Sequence, residues 1–316
     1  MNWEIEDVIS LDDVNVRSRG QGSTKLFIAG AALLGKEFPT RFFGQDFGYL
    51  LGCGVSFDEV EAKQKCFGEI VERYSAFFGA SPTADTNART KVSLSQFVRI
   101  GNKEAKAQST EWVAGLNFDS QEEVLLPAQL CGILPRTTDC QFLPRYGNAT
   151  GLAARFDRSK ACLHAICEIA ERHLSMKFWS GGIDSSQVAR VDCREDLMEQ
   201  YCLENGLKIE VFLISTEAGV GLVLAVLHCG KGECLSVGTA YGFVSKRLCR
   251  HAFSEAIMAR LPENLPKTKR VLNPQTSLDH IRFAYLNGPR VLQHIESLYE
   301  GAVYSWEWVP EMVSLI

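Results

Sequence analysis

Apolar residues recur at helical spacing in two stretches of this chain. Cys66, Phe67, Ile70, Val71, Tyr74, Phe77 and Phe78 make one stripe, and Ile166, Ala170 and Leu174 make another. Each predicts an amphipathic helix with one buried face. Ser56-Phe57-Asp58-Glu59 reads as a capping box at the start of the first, and Asp157 is placed to cap the second. Leu197, Tyr201, Cys202 and Leu203 predict a further helix within 193–206, stopped by Asn205-Gly206. Ile281, Phe283, Ala284, Tyr285, Val291, Leu292, Ile295 and Leu298 predict a final packed helix. Residues 25–35 are small and apolar and suit a strand or a buried helix. Residues 80–92 are polar and read as a loop. Pro262, Pro266 and Pro274 make 262–276 an irregular connection.

Off the apolar stripes, polar residues repeat. Glu69-Ile70-Val71-Glu72-Arg73 returns as Glu168-Ile169-Ala170-Glu171-Arg172. Upstream, Phe57-Asp58 and Ala62 match Phe156-Asp157 and Ala161, and a glycine stands seventeen residues before each leading glutamate, at Gly52 and Gly151. A weaker third copy keeps Gly238, Phe243 and Glu255 at the same offsets. Met258 replaces its second glutamate, and its arginine slips one place to Arg260. The units span about 45–79, 145–180 and 234–262, each a glycine-marked turn entering a helix.

Glutamate and arginine at this spacing commonly form a solvated, salt-bridged helix face, and for either helix alone that reading stays open. Packing does not explain why carboxylates repeat. Glu69, Glu72, Glu168 and Glu171 around one cavity would repel one another unless cations compensated them. Magnesium suits oxygen ligands and bridges carboxylates to nucleotide phosphates. Arg73 and Arg172 would then face phosphate oxygens. The repeat predicts that Glu69, Glu168 and Glu255 face one cavity.

These segments resemble the paired motifs of the YcaO superfamily, in which such glutamates hold magnesium and ATP. Gly52-Cys53-Gly54, Ala62, Glu69, Glu72, Arg73 and Tyr74 match the first family block. Gly151 through Ala154, Ala161, Glu168, Glu171, Arg172 and Trp179 match the second. Val124–Ala128 resembles a family strand ending in Pro-Ala. Glu210–Thr216 and Gly221–Leu227 resemble its strand pair, and Ala252, Glu255 and Arg260 its third helical block. The likeness runs over about residues 45 to 262. The chain departs from the family where Thr150 stands for Asn, Arg155 for the last Gly of the second block, and Cys53 for a frequent Lys. The third block lacks its usual Gln, and the chain's last residues are not the alternating prolines of azoline-forming members.

The resemblance implies a mixed α/β (α+β) fold built from repeated strand–turn–helix units, with residues 1–316 as a single domain. It implies ATP and Mg2+ as cofactors, with magnesium on Glu69, Glu72, Glu168 and Glu171. Nucleotide contacts would come from Arg73, Arg172, Thr150, Gly151, Glu255 and Arg250. The implied reaction is phosphorylation of a peptide backbone amide, giving azolines in a ribosomally made, modified peptide of the bacteriocin type. A thioamide-forming enzyme and a non-catalytic, nucleotide-binding scaffold subunit are the alternatives. The partners implied are a precursor peptide and a separate peptide-presenting protein of the E1-like (ThiF-like) kind. A flavin dehydrogenase partner and a homo-oligomer stay open.

Ser180-Gly181-Gly182-Ile183-Asp184-Ser185-Ser186 spells the phosphate loop of ATP pyrophosphatases. That loop needs a buried strand before it, and here only Lys177-Phe178-Trp179 remains after a helical pattern, so a solvent-side connection is expected. With 316 residues and 46% hydrophobic content the chain can bury a sizeable core. A net charge of -5 argues against a nucleic-acid surface. No apolar run reaches membrane-spanning length, and a cytoplasmic location is expected. The eleven cysteines form no Cys-x-x-Cys and read as small core residues in a reducing compartment. Cys53 fits its turn as a small residue. His228-Cys229 and Cys234 lack the spacing of a zinc site.

Overall fold

The computed structural model describes residues 14–34, 49–78, 90–92, 99–100, 103–104, 112–127, 131, 149–192, 196–217, 219–230, 233–260, 288–297 and 303–304. The first sheet has three antiparallel strands in sequence order: β1 (Asn15–Arg19), β2 (Leu26–Leu34) and β3 (Tyr49–Ser56). Residues 25–35 thus resolve to a strand over most of their length. Helix α1 (Glu59–Phe78) follows β3 and packs on β2 and β3 through Ala62, Cys66 and Ile70. Short strands β4 (Thr90–Lys91), β5 (Arg99–Ile100), β6 (Lys103–Glu104), β7 (Trp112–Leu116) and β8 (Glu123–Pro127) form two small sheets, β4-β8-β7 and β5-β6.

Next comes α2 (Arg158–Trp179), then β9 (Val188–Val191) and α3 (Leu197–Glu204). An antiparallel meander follows, made of β10 (Lys208–Glu217), β11 (Val220–Cys229) and β12 (Glu233–Phe243). The described chain ends with α4 (Lys246–Met258), α5 (Gly288–Ser297) and β13 (Val303–Tyr304). The main sheet runs β12-β11-β10-β9-β13, with β13 parallel to β9.

Both faces of this sheet are covered, so its central strands are apolar throughout and do not alternate with polar residues. Val211, Leu213, Val223, Ala225 and Leu227 face α3 and α4. Phe212, Ile214, Leu222, Leu224 and Val226 face the opposite way, toward Phe178 of α2 and Val291, Leu292 and Ile295 of α5. The two helices α2 and α4 therefore flank β12, the edge strand, from opposite faces of the sheet. Phe57 joins the first sheet to the second core, stacking on Phe253 at 5.6 Å between ring centroids and meeting Tyr201 edge-on at 6.2 Å.

Side chains start the three repeat helices in one manner. Asp58 accepts the amide of Glu61 at 2.7 Å, Asp157 that of Lys160 at 2.8 Å, and Ser245 that of Leu248 at 3.2 Å. The capping box expected at Ser56 is thus replaced by an Asp58 cap, because the Ser56 hydroxyl bonds the Glu61 carboxylate. Gly52 and Gly238 let strand and helix touch: a Cβ on Gly238 would strike the Ala252 carbonyl and the Ala256 amide. Gly151 stands at the same offset for another reason, a left-handed φ of +83°. Units one and three are strand–turn–helix, whereas the residues before the second turn lie outside those described.

Three further expectations change or narrow. Ile166 is 45% exposed, not core, because α2 meets the sheet through Leu174 and Phe178 near its C-terminus. Leu163, Ile169 and Met176 are also exposed, leaving an apolar outer face on α2. The side chains of Phe77 and Phe78, residues 262–276 and Ile281–Tyr285 lie outside the described residues. The 193–206 helix runs from Leu197 to Glu204, starts at an Asp196 cap, and ends at Asn205 with Gly206 at φ +68°. Among the described residues no helix is long and apolar enough to cross a membrane.

Candidate functional site

Helices α1, α2 and α4 bring five glutamates together. Glu69 and Glu72 come from α1, Glu168 and Glu171 from α2, and Glu255 from α4. Glu69 accepts the Cys53 amide at 2.7 Å and pairs with Arg73 one turn on. Glu168 repeats both contacts, accepting the Gly151 amide at 3.3 Å with Arg172 at 3.9 Å. Gly52 and Cys53 lie within β3 and not in the expected turn, so a strand amide fixes Glu69 where a turn amide fixes Glu168, each together with its helix arginine. Glu171 reaches across to β12, where the Thr239 hydroxyl donates to it at 2.6 Å.

Electrostatics closes these residues into a ring. Burial, then repulsion from Glu168 and Glu69, pushes Glu72 up to about 7. Burial raises Glu168 despite the opposing Arg172 and the Gly151 amide. Burial also lifts Glu171 to about 7, with Glu168 adding to it against Thr239 and Arg172. Burial, Glu171 and Glu69 carry Glu255 to about 8. Glu255 still leaves 42% of its side chain accessible, which makes it a cleft-wall residue and not a core one. Burial is the main cause throughout, and mutual repulsion adds to it while Arg73 and Arg172 only partly offset it.

The donor set suits magnesium held by pairs. Among the described residues no three His, Cys, Asp or Glu side chains converge enough to enclose an ion unaided. Magnesium needs no such cage, because one or two carboxylates together with phosphate oxygens and water complete its shell. Glu69 with Glu72 and Glu168 with Glu171 are such pairs, each a single helical turn apart.

A family model described as YcaO cyclodehydratase, ATP- and Mg2+-binding, matches residues 52–301. The chain belongs to the YcaO family. No curated protein matches it in sequence. Its fold is similar to that of YcaO from Methanopyrus kandleri bound with AMPPCP and Mg2+. The identity there is 16% and the TM-score 0.63, covering 98% of this chain and 74% of that one. It is similar also to the E. coli microcin synthetase McbBCD complex with pro-MccB17 bound, at 12% identity and TM-score 0.59, over 92% and 74%. A heterocyclase in complex with substrate and cofactor matches at 18% identity and TM-score 0.54. The match covers 77% of this chain and 37% of that longer one.

Other expected site residues of this YcaO chain fall into place unevenly. Gly151 sits at the turn and gives its amide to Glu168, and Thr150 precedes it in the same turn. Arg250, expected at the nucleotide, is held by a carboxylate of this chain. Its guanidinium donates twice to Asp196, at 3.1 and 3.0 Å, because Asp196 is buried at the start of α3 and needs a counter-charge. The pyrophosphatase reading of 180–186 fails: α2 runs to Trp179 where a strand is required, and the Gly181, Gly182 and Ser186 amides are already bonded within the turn. His228 pairs with Glu210 at 3.3 Å and Arg260 approaches Cys229 Sγ at 3.7 Å.

Sequence reading missed Thr239. It occupies the place in the third unit that Cys53 holds in the first, sixteen residues before the leading glutamate. Applying the repeat register to every position would have found it.

Proposed function

We propose that this chain is an ATP- and magnesium-dependent enzyme that activates peptide backbone amides, leading to azoline rings in a precursor peptide. The ring of five glutamates on α1, α2 and α4, three of them raised to about 7 or 8 by burial, carries the reading. Glu69 with Glu72, and Glu168 with Glu171, would hold magnesium; Arg73 and Arg172 would orient phosphate oxygens; Thr150, Gly151 and Glu255 would line the nucleotide. ATP with magnesium supplies a phosphoryl group that turns the amide oxygen, a poor leaving group, into a good one. Gly151 and Cys53 keep the leading carboxylates aimed through their amides. Thr239 orients Glu171. A separate protein would present the peptide.

One observation favours a second reading, a nucleotide-binding scaffold subunit. Thr150 and Arg155 alter the second motif's turn. ATP consumption, measured with and without precursor peptide and presenting partner, separates the two. Peptide-dependent ADP formation together with loss of water from the peptide supports the enzyme. Nucleotide binding without consumption in any such mixture overturns it.

A further inference from the structure

Strand β3 is the outer strand of the first sheet and β12 the outer strand of the main sheet. Each is followed directly by the helix of its own repeat unit, α1 or α4. On β3, groups that point away from β2 are taken by α1. The Cys53 amide donates to Glu69 at 2.7 Å, and the Val55 carbonyl accepts Lys65 Nζ at 3.1 Å. The helix thus closes the edge of its own strand.

The same offsets in the third unit put Thr239 in the place of Cys53 and Tyr241 in that of Val55, with Glu255 and His251 of α4 for Glu69 and Lys65. There the edge is not closed. Among the described residues Glu255 pairs with His251 at 3.7 Å, and neither side chain bonds the strand. Which groups face outward follows from the ladder. The Val244 amide donates to the Gly219 carbonyl at 2.8 Å, next to an unbroken register from Val220–Phe243 to Leu227–Ser236. Hydrogen-bonded pairs alternate in an antiparallel ladder, so Ser236, Gly238, Ala240 and Gly242 bond β11, whereas Val237, Thr239 and Tyr241 turn their amides and carbonyls outward. The Tyr241 amide is a donor to Glu171. The amides and carbonyls of Val237 and Thr239, and the carbonyl of Tyr241, have no partner among the described residues. Between Cys234 and Phe243 the strand carries neither charge nor proline, the usual means of blunting such an edge. The row runs past Thr239, whose hydroxyl holds Glu171 at 2.6 Å.

We propose that the β12 edge from Val237 to Tyr241 receives an extended peptide as an added strand, laying a backbone amide of that peptide beside Glu171. Unpaired amides and carbonyls repeating every second residue match another extended main chain. Pairing of this kind reads backbone and tolerates varied side chains, which suits chemistry at a backbone amide. Only the naming of this peptide as the substrate rests on the proposed function.

The test is a heteronuclear NMR titration of the full chain, in EDTA, with the blocked peptide acetyl-Thr-Val-Cys-Thr-Val-amide. Val237→Pro removes an outward amide and no ladder bond, so the fold should survive, as circular dichroism checks. Its dissociation constant for the peptide should rise at least about tenfold, from the lost bond and the ring in its place. Val237→Ala keeps the amide and should stay within about twofold of the wild type. On the peptide side, esters replace alternate amides in two complementary sets. One set should bind weakly and the other like the parent, because only every second amide points at the strand. No binding up to about 10 mM, wild-type affinity in a folded Val237→Pro, or equal effects of the two ester sets overturns the docking edge. Should Val237→Pro not fold, the ester sets decide alone. If Val237→Pro weakens Mg-ATP and leaves the peptide untouched, a nucleotide base occupies the edge and the proposal falls. If Mg-ATP fails to bind the wild type while the peptide binds with the alternation, the phosphoryl-transfer reading falls and the docking edge stands.

Discussion

The hydroxyl of Thr239 donates to the carboxylate of Glu171 at 2.6 Å, joining the edge strand β12 to helix α2. Thr239 belongs to the third unit and Glu171 to the second, so a side chain from one repeat fixes the candidate metal ligand of another. Thr239→Val keeps a β-branched shape suited to a strand but removes the donor. We expect magnesium-dependent nucleotide affinity to drop about 10–100-fold, as for other residues that orient metal ligands, with folding retained. Calorimetry with a non-hydrolysable ATP analogue checks this; unchanged affinity would remove Thr239 from the site.

Magnesium and ATP should stabilise the folded chain together and not separately. At a hundredfold excess over the dissociation constant the gain is about 2.7 kcal/mol. ATP in EDTA should give far less, because the carboxylate ring repels a bare triphosphate. Melting curves under the two conditions decide the matter, and equal shifts would contradict the carboxylate–metal arrangement.

Glu171→Gln preserves size while removing one ligating charge. Peptide-dependent ATP turnover should fall roughly 10²-fold or more, the scale seen when a group that stabilises transferring charge is lost. Stability should hold or rise, since a crowded carboxylate is gone. Glu59→Gln serves as the control. Its side chain pairs only with Lys63 at 3.5 Å on an exposed face, and turnover should not change.

The ring also sets the direction of a pH response. Glu72 and Glu171 sit at about 7 and Glu255 at about 8 in the folded chain, against 4.5 for a free glutamate. Between those limits the folded state holds more protons than the unfolded state. Metal-free stability contributed by these groups is therefore full below 4.5 and is lost as pH rises through 7 and 8. Melts in EDTA at pH 5.5 and 8.0 should show a lower Tm at the higher pH, and magnesium should narrow the gap. A Tm that climbs with pH would refute the coupled ring.

Arg250 gives a prediction of the opposite kind. Asp196 is buried and caps α3 while accepting two bonds from Arg250, which is itself 42% exposed. Arg250→Gln should cost roughly 2 kcal/mol, less than a fully buried pair because solvent screens the arginine. Nucleotide affinity should stay the same. Denaturant titration and calorimetry read the two quantities separately; lost affinity with unchanged stability would restore Arg250 to the nucleotide.

Much of the site could be read from the sequence because its chemistry repeats. In both units a backbone amide from the glycine-bearing segment reaches the leading glutamate, from Cys53 to Glu69 and, one position further off, from Gly151 to Glu168. The helix stripe of α1 was legible through Cys66 and Ile70, whose burial is local in origin. What could not be read is long-range. Arg250 finds Asp196 more than fifty residues away, and no local pattern foretells that choice. Ile166 sits at core spacing yet stays exposed, because the sheet meets α2 only toward its C-terminal end.

The glutamate ring spans well over half of the chain between Glu69 and Glu255, and its members flank the sheet edge from both sides. No fragment holding only one or two of the three helices can assemble it. Crowding of the carboxylates therefore falls on a late stage of folding, after the sheet and its helices have docked. A divalent cation present at that stage would lower the final barrier as well as the final energy. Refolding speed would then depend on magnesium even with no nucleotide or peptide in the solution.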